Sequence, residues 1–397
     1  MSDSTLVIWD EVFTSYDFGP THPLRPLRLE LTMALAAACG VFDNPAVTVA
    51  PPRGAGDDVL ELVHDRDYIG AVRRAPDDLL GRLAARYGLG PGDNPIFPRM
   101  HEAAALVTGA SVDACRAVWE GRAQHAVNLA GGLHHAMTAR ASGFCIYDDP
   151  AVGIAWLLAN GASRVAYVDV DVHHGDGVQA AFYDDPRVLT VSLHETGQVL
   201  FPGTGFPDEL GRGAGHGTSV NVALPPHTDD AAWLRAFAAV VPPLVRAYRP
   251  EILVAQLGCD THALDPLAHL RLSVDGQAAA YRSLHELAHE LCGGRWVVLG
   301  GGGYEIVQVV PRAWTLALAE VTGTAVTTAD TPAEWHAVVA ERSDEIAPAQ
   351  LHDRDGIPLW TSWPGGDGDP RDAVDRAIAA TRRACFPSLG LDPMAAA

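Results

Sequence analysis

Short apolar segments alternate along the chain with helical segments two or three times their length, which predicts an α/β fold with a mainly parallel sheet flanked by helices. Acids, histidines and a tyrosine recur at or just after the ends of four of those apolar segments. In a parallel sheet the ligand crevice lies beyond the carboxyl ends of the strands, so the four ends are expected to meet in one site. At 397 residues and 48% hydrophobic side chains, the chain can bury a substantial core. No internal repeat divides it, and we read 1–397 as one domain with a core of about 5–325 and an extension over about 330–397.

Residues 5–9 read as a first strand, YDFGPTHPLRPLR at 16–28 as a loop stiffened by prolines, and 29–38 as a helix. His22, Arg25 and Arg28 in that loop are candidates for function or plain charges at a helix start. Weak strand and helix signals cover 47–50 and 60–63. GLGPGDNPIFP at 88–98 is a Gly- and Pro-rich loop in which Asp93 and Asn94 suit turns. A helix is expected over 102–119 and a buried strand over 126–130, running into Gly131, Gly132, Leu133, His134 and His135. Adjacent histidines on a strand face opposite ways, but after two glycines the backbone is free to turn both into one pocket; otherwise they are surface histidines in a loop.

SGFC at 142–145 is a further loop and 151–158 a helix. In VAYVDVDVHHGDG, 165–177, strand alternation would set Asp169, Asp171 and His173 on one face, a costly arrangement that a cation would offset; a capped strand end and a Gly turn is the plainer alternative. Strands are expected at 188–194, 252–257 and 296–299, helices at 233–247 and 277–291, and a loop, FPGTG, at 201–205. The strand at 252–257 runs into Gly258, Cys259, Asp260, Thr261 and His262, and the one at 296–299 into four glycines and Tyr304. Farther on, 334–346 and 372–383 read as helices, 364–370 as a loop, and the final residues as a tail.

A net charge of -21 argues against nonspecific binding to nucleic acid or anionic membranes. The six cysteines include no CxxC pair, so neither a zinc ribbon nor a disulfide framework is indicated, and a reducing cytoplasm fits. The N-terminus lacks the basic start of a signal peptide, and the apolar tract 236–245, broken by Pro242 and Pro243, is too short to span a bilayer.

Asp171, His173 and Asp260 would give one divalent cation two carboxylates and an imidazole with a position left open, a set suited to hydrolysis. His134 and His135 offer a general base and acid, Asp169 and Asp176 can orient them, and Tyr304 can reach an oxyanion. The glycines before Tyr304 are followed by no lysine, which sets a P-loop aside.

These residues lie in HPLRPLR, GGLHHA, SGFCIYDD, VDVDVHHGDG, VSLHE, FPGTG, QLGCDTHALDPL and GGGGY, and by these motifs the chain resembles the class I histone deacetylase family over about 9–314. The resemblance implies zinc (or Fe2+ in the cell) on Asp171, His173 and Asp260, with His135 as base and acid, His134 as its electrostatic partner, Asp169 and Asp176 behind them, and Tyr304 on the oxyanion. It implies an acyl-lysine tunnel walled by Gly143, Phe144 and Phe201 with Leu267 at the rim, Asp93 on the substrate backbone, and Arg28 in an internal acetate channel. It also implies structural K+ at Asp169, Asp171, His173, Ser192 and Leu193, mainly through carbonyls, and a second monovalent site at Phe182, Asp185 and Val188.

The activity so implied is hydrolysis of Nε-acetyl-lysine in proteins, in a cytoplasmic setting tied to acetoin and acetate metabolism, with an acetylated metabolic enzyme as partner. A deacetylase of small amines such as acetylpolyamines is the alternative enzyme. An arginase-like two-metal site would need more bridging carboxylates than Asp171 and Asp260, and a catalytically silent scaffold would be expected to have lost a ligand or base.

Overall fold

The computed structural model describes residues 4–78, 82–354 and 356–397. Eight parallel strands among them form one sheet: β1 (Thr5–Ile8), β2 (Val47–Ala50), β3 (His125–Asn128), β4 (Val165–Asp169), β5 (Val188–Glu195), β6 (Ser219–Leu224), β7 (Ile252–Gln256) and β8 (Trp296–Leu299), in the order β2-β1-β3-β8-β7-β4-β5-β6. Around it run α1 (Leu27–Ala38), α2 (Asp57–Leu60), α3 (Arg66–Arg74), α4 (Arg82–Arg86), α5 (Met100–Trp119), α6 (Asp149–Ala159), α7 (Asp176–Ala181), α8 (Asp230–Tyr248), α9 (Val274–Cys292), α10 (Val310–Thr322), α11 (Ala333–Arg342) and α12 (Ala373–Cys385). The predicted α/β class with a parallel sheet is what the chain adopts. No helix among the described residues is long and apolar enough to cross a membrane.

Every residue of β3, β4, β5, β7 and β8 is buried, as expected of a sheet covered on both faces. Side chains fix several helix starts: Asp148, Asp229 and Ser273 accept hydrogen bonds from the first turns of α6, α8 and α9. The chain continues helically through Pro242 and Pro243 in α8, where the flanking Val240, Val241, Leu244 and Val245 are fully buried. An interior proline costs about 3 kcal/mol, and that burial offsets it.

The four strands that end in candidate site residues, β3, β8, β7 and β4, are consecutive in the sheet. Asn128, Leu299, Gln256, Asp169 and Ser192 are successive Cα partners across it. Segments leaving β3, β4, β7 and β8 therefore start from one level and rise into the same crevice.

Several sequence expectations need correction. β4 stops at Asp169, so Asp171 and His173 lie on the loop beyond it and not on a strand face. β6 was not anticipated because polar Ser219 and Asn221 interrupt it; it pairs with β5 and is covered by α12. α3, α4, α7 and α10 were likewise unanticipated, the helix expected at 60–63 is α2, which ends at Leu60, and α11 ends at Arg342 where Ser343 turns extended. The final residues are no free tail, since the buried Arg382 donates to the carbonyls of Ala239 (2.8 Å), Pro393 (3.0 Å) and Ala395 (2.7 Å).

Arg382 thus holds α8, α12 and the C-terminal segment together, with the Phe386 ring 4.4 Å from its guanidinium carbon. Arg382→Ala is expected to lower the unfolding free energy by about 2–3 kcal/mol, because three carbonyls lose a charged donor. The urea midpoint of the variant against the parent checks this.

Candidate active site

Local hydrogen bonds explain why the chain leaves the strand after Asp169. Asp169 Oδ1 accepts from Asp171 N at 3.1 Å, and Asp171 Oδ1 accepts from His173 N at 2.9 Å, two successive turns made by aspartates on their own backbone. The loop so formed brings Asp171 and His173 to Asp260, which follows β7. All three are buried, and one ligand atom from each lies within 4.8 Å of the others.

His173 Nδ1 is 3.2 Å from Asp171 Oδ1 and 3.0 Å from Asp260 Oδ2. The remaining oxygens are anchored by the protein: Asp171 Oδ2 accepts from Gln256 Nε2 and Gly302 N, both at 2.7 Å, and Asp260 Oδ1 accepts from Val172 N at 2.9 Å. A methyl group at Gly302 would overlap the Asp260 carboxylate, so glycine is what lets the loop after β8 close over the cluster. Burial and the neighbouring Asp171 charge push Asp260 up to about 8. Two buried carboxylates that resist sharing negative charge, each turning one oxygen toward an imidazole nitrogen, fit a divalent cation of the zinc type.

Beside this cluster the two histidines after β3 face the same way. Asp149 pins their loop by accepting from Gly132 N at 3.0 Å and Leu133 N at 2.8 Å. His134 Nδ1 is 2.7 Å from Asp169 Oδ2, His135 Nδ1 is 2.7 Å from Asp176 Oδ1, and the two Nε2 atoms are 3.0 Å apart. Tyr167 also donates to Asp169 Oδ2, at 2.7 Å. Burial opposes a proton on His134, but Asp169 and Asp171 outweigh it and raise His134 to about 10. Burial and then the His134 charge lower His135, against the pull of Asp176. The carboxylates thus favour a proton on His134 over one on His135, whose Nδ1–H donates to Asp176 and leaves Nε2 as its basic nitrogen.

Tyr304 and two phenylalanines enclose the approach. The Tyr304 ring stands edge-on to His173 at 6.4 Å and to Phe144 at 5.7 Å, and Phe201 is edge-on to His135 at 5.0 Å. Burial, then Asp260 and Asp171, hold the Tyr304 hydroxyl well above its ordinary pKa, so it stays a donor. Gly143 (φ 52°) and Phe144 (φ 69°) are both left-handed, and a side chain at Gly143 would strike the His135 and Phe201 rings. Tyr16 clasps this turn, donating to the Phe144 carbonyl at 2.8 Å and accepting from Ile146 N at 3.1 Å.

The other candidates fall at varying distances. Asp265 accepts from Tyr304 N at 2.9 Å and from Leu267 N at 3.0 Å, so one carboxylate hangs both Tyr304 and the half-buried Leu267. Asp93 is exposed, and its carbonyl meets His22 Nε2 at 3.2 Å while the His22 ring packs edge-on against Phe144 at 4.5 Å. Arg28 is buried, donating to the carbonyls of Gly301 at 2.8 Å and Gly303 at 3.0 Å. With Arg25 and Leu133 it borders a cavity of about 20 Å³, room for about one water. His262 turns away, its Nε2 lying 2.9 Å from Asp353 Oδ2 in the C-terminal extension.

Ser192 lies beside Asp169 across β4 and β5, with Leu193 next along. Phe182, Asp185 and Val188 share one turn, in which Asp185 N donates to the Phe182 carbonyl and Val188 N to that of Asp185. Gln256, Tyr16, Tyr167, Asp149 and Asp265 were missed as site-forming residues. A polar residue closing the apolar run of β7 was the visible signal for Gln256, and Tyr167 stands two residues before the Asp169 it serves, whereas Tyr16, Asp149 and the Asp265 contact to Tyr304 act from afar in sequence.

A neutral His135 is needed to accept a proton, so kcat/KM is expected to rise with pH through a value below the ordinary histidine range. Asp176→Asn removes the carboxylate that raises His135. It is expected to shift that limb to still lower pH and to cut the rate about 10- to 100-fold. A pH–rate profile of both proteins reads the two effects.

Residues 22–321 match the family model described as histone deacetylase domain. The chain is 44% identical over 327 residues to the acetoin utilization protein AcuC of Bacillus subtilis strain 168, covering 81% of this chain and 83% of that one. To AcuC of Staphylococcus aureus strain MSSA476 it is 36% identical over 354 residues, covering 89% and 90%. It is similar to the crystal structure of an HDAC homologue complexed with SAHA, with TM-score 0.81, 30% identity, and coverage of 95% of this chain and 100% of that chain. An HDAC homologue from Aquifex aeolicus gives TM-score 0.80 at 29% identity, with 94% and 99% covered. With the site assembled as described, these matches establish that the chain belongs to the histone deacetylase family of hydrolases.

Proposed function

We propose that the protein hydrolyses the amide bond of Nε-acetyl-lysine in proteins and releases acetate, with zinc, or Fe2+ in the cell, held by Asp171, His173 and Asp260. The observation that carries this reading is His135, bound through Nδ1 to Asp176 beside the carboxylate–imidazole cluster, with the Tyr304 ring edge-on to His173 and an aromatic-walled approach above. A divalent ion in that cluster supplies polarisation of the acetyl carbonyl and acidifies water.

The chain's own groups do the rest. His135 Nε2 takes a proton from water as the water oxygen adds to the acetyl carbon. The cationic His134, tied to Asp169, balances the charge developing beside it. Tyr304 donates its hydroxyl proton in a hydrogen bond to the oxyanion. The carbon–nitrogen bond then breaks as His135 hands its proton to the departing lysine amine, and Asp176 holds the ring through both transfers. Phe144 and Phe201 offer flat apolar walls to the lysine methylenes, and Leu267 and Asp93 lie toward the rim. The set Asp169, Asp171, His173, Ser192 and Leu193 is assigned to K+ on the same reading, and 182–188 to a second monovalent ion.

The name of the AcuC relatives, acetoin utilization protein, favours a role linked to acetoin and so to acetate metabolism, and we assign an acetylated metabolic enzyme as the substrate. The charge of -21 draws cationic substrates of either kind, a lysine-rich protein segment or an acetylated polyamine. Turnover of an acetyl-lysine peptide against an acetylpolyamine by the zinc-loaded protein separates them, and failure of the peptide to release acetate overturns the proposal. Tyr304→Phe is expected to lower peptide turnover about 100- to 1,000-fold with little change in KM. Steady-state kinetics on that peptide measure it.

A further inference from the structure

Three histidines converge at the other end of the sheet. His125 opens β3, and His285 and His289 stand one turn apart on one face of α9. One ring nitrogen from each lies within 4.8 Å of the others, and none of the three takes part in the site beyond the strand C-termini. Ring centroids are 4.8 Å apart for His125 and His285, 5.3 Å for His125 and His289, and 4.8 Å for His285 and His289.

Hydrogen bonds decide which nitrogens face inward. His125 Nδ1 lies 2.8 Å from the Val321 carbonyl oxygen, and His285 Nδ1 lies 2.7 Å from Glu320 Oε1. Only an N–H can make either contact, so in both rings Nδ1 carries a proton and Nε2 is the nitrogen left to bind an ion. His285 Nε2 is buried and has no hydrogen-bond partner. His289 Nε2 meets His125 Nε2 at 3.2 Å, and the His289 side chain is exposed to solvent. A carbonyl or carboxylate on Nδ1–H, with Nε2 kept as the ligand nitrogen, is how metal-binding histidines are oriented. Packing alone accounts for part of this, since His285 stacks on Trp296 at 5.1 Å, but stacking gives no partner to the buried Nε2.

We propose that His125, His285 and His289 form a second metal site for a borderline divalent cation such as Zn2+, Cu2+ or Ni2+, with water in the remaining position. Three imidazoles and no carboxylate ligand select against Mg2+ and Ca2+, which require oxygen donors. His289 joins by releasing the proton on its inward nitrogen. Glu320, 3.7 Å from Arg282, lies behind His285 as the balancing carboxylate, and a surface cleft of about 510 Å³ bordered by His285 and Glu320 gives an approach. The ion would join β3, α9 and, through Val321 and Glu320, α10.

The test uses the full-length protein, stripped with a chelator, reloaded with Zn2+, desalted and assayed for metal per chain. The parent is expected to retain two zinc ions, His289→Ala one, Asp260→Asn one, and the double variant none. In the Asp260→Asn protein, where only the histidine site remains, Zn2+ is expected to raise the melting temperature, and His289→Ala in that background to abolish the rise. Circular dichroism confirms that the exposed His289→Ala change leaves the fold intact, and His285→Gln gives a second, independent ligand loss. Zinc in the parent that falls to none with Asp260→Asn alone overturns the proposal, as does a second zinc that neither histidine variant removes. Because Asp260→Asn isolates the histidine cluster, failure here is distinct from failure of the proposed hydrolytic site.

Discussion

The buried negative charge at the carboxyl ends of the central strands is the constraint around which the structure is arranged. Asp171 and Asp260 are buried away from bulk solvent, so each needs donors on one oxygen and a positive partner on the other. Gln256 and Gly302 N serve Asp171, Val172 N serves Asp260, and His134 carries a proton nearby. The same need explains the glycines after β8, since any side chain at Gly302 would displace the carboxylate it has to serve.

That arrangement separates two imidazoles that are neighbours in sequence. His134 sits on Asp169, itself held by Tyr167, and near Asp171, and these carboxylates favour a proton on its ring. His135 has only Asp176 to stabilise a positive charge and faces the His134 cation, so it stays neutral and can carry a proton in transit. Two chemically identical side chains thus take different roles through the carboxylates that the fold sets behind them.

The C-terminal extension braces the site from below. Asp353 reaches His262 at 2.9 Å, Arg312 at 2.7 Å and Val274 N at 2.9 Å, and these contacts hold it well below the usual carboxylate range against the effect of burial. Asp275, in the first turn of α9, accepts in turn from Arg354 N at 2.6 Å. The loop carrying Asp260 to Asp265, from which Tyr304 hangs, is in this way packed against residues almost a hundred positions later.

By itself the sequence determined the fold class, since short apolar runs that alternate with longer helical segments and close on acids and histidines suit buried parallel strands ending at a polar crevice. It also determined which side chains stand there, because Asp171, His173, Asp260, His134, His135 and Tyr304 each follow such a run directly. Tertiary structure decided that Asp171 and His173 leave the strand, through turns that aspartates close on their own backbone, an outcome that period-two alternation hides. It alone decided which histidine is charged, how Gln256 and Asp265 position Asp171 and Tyr304, and that His125 meets two histidines of α9 some 160 residues away. Protonation and ligand geometry depend on distances between segments, and no local pattern in a chain encodes those.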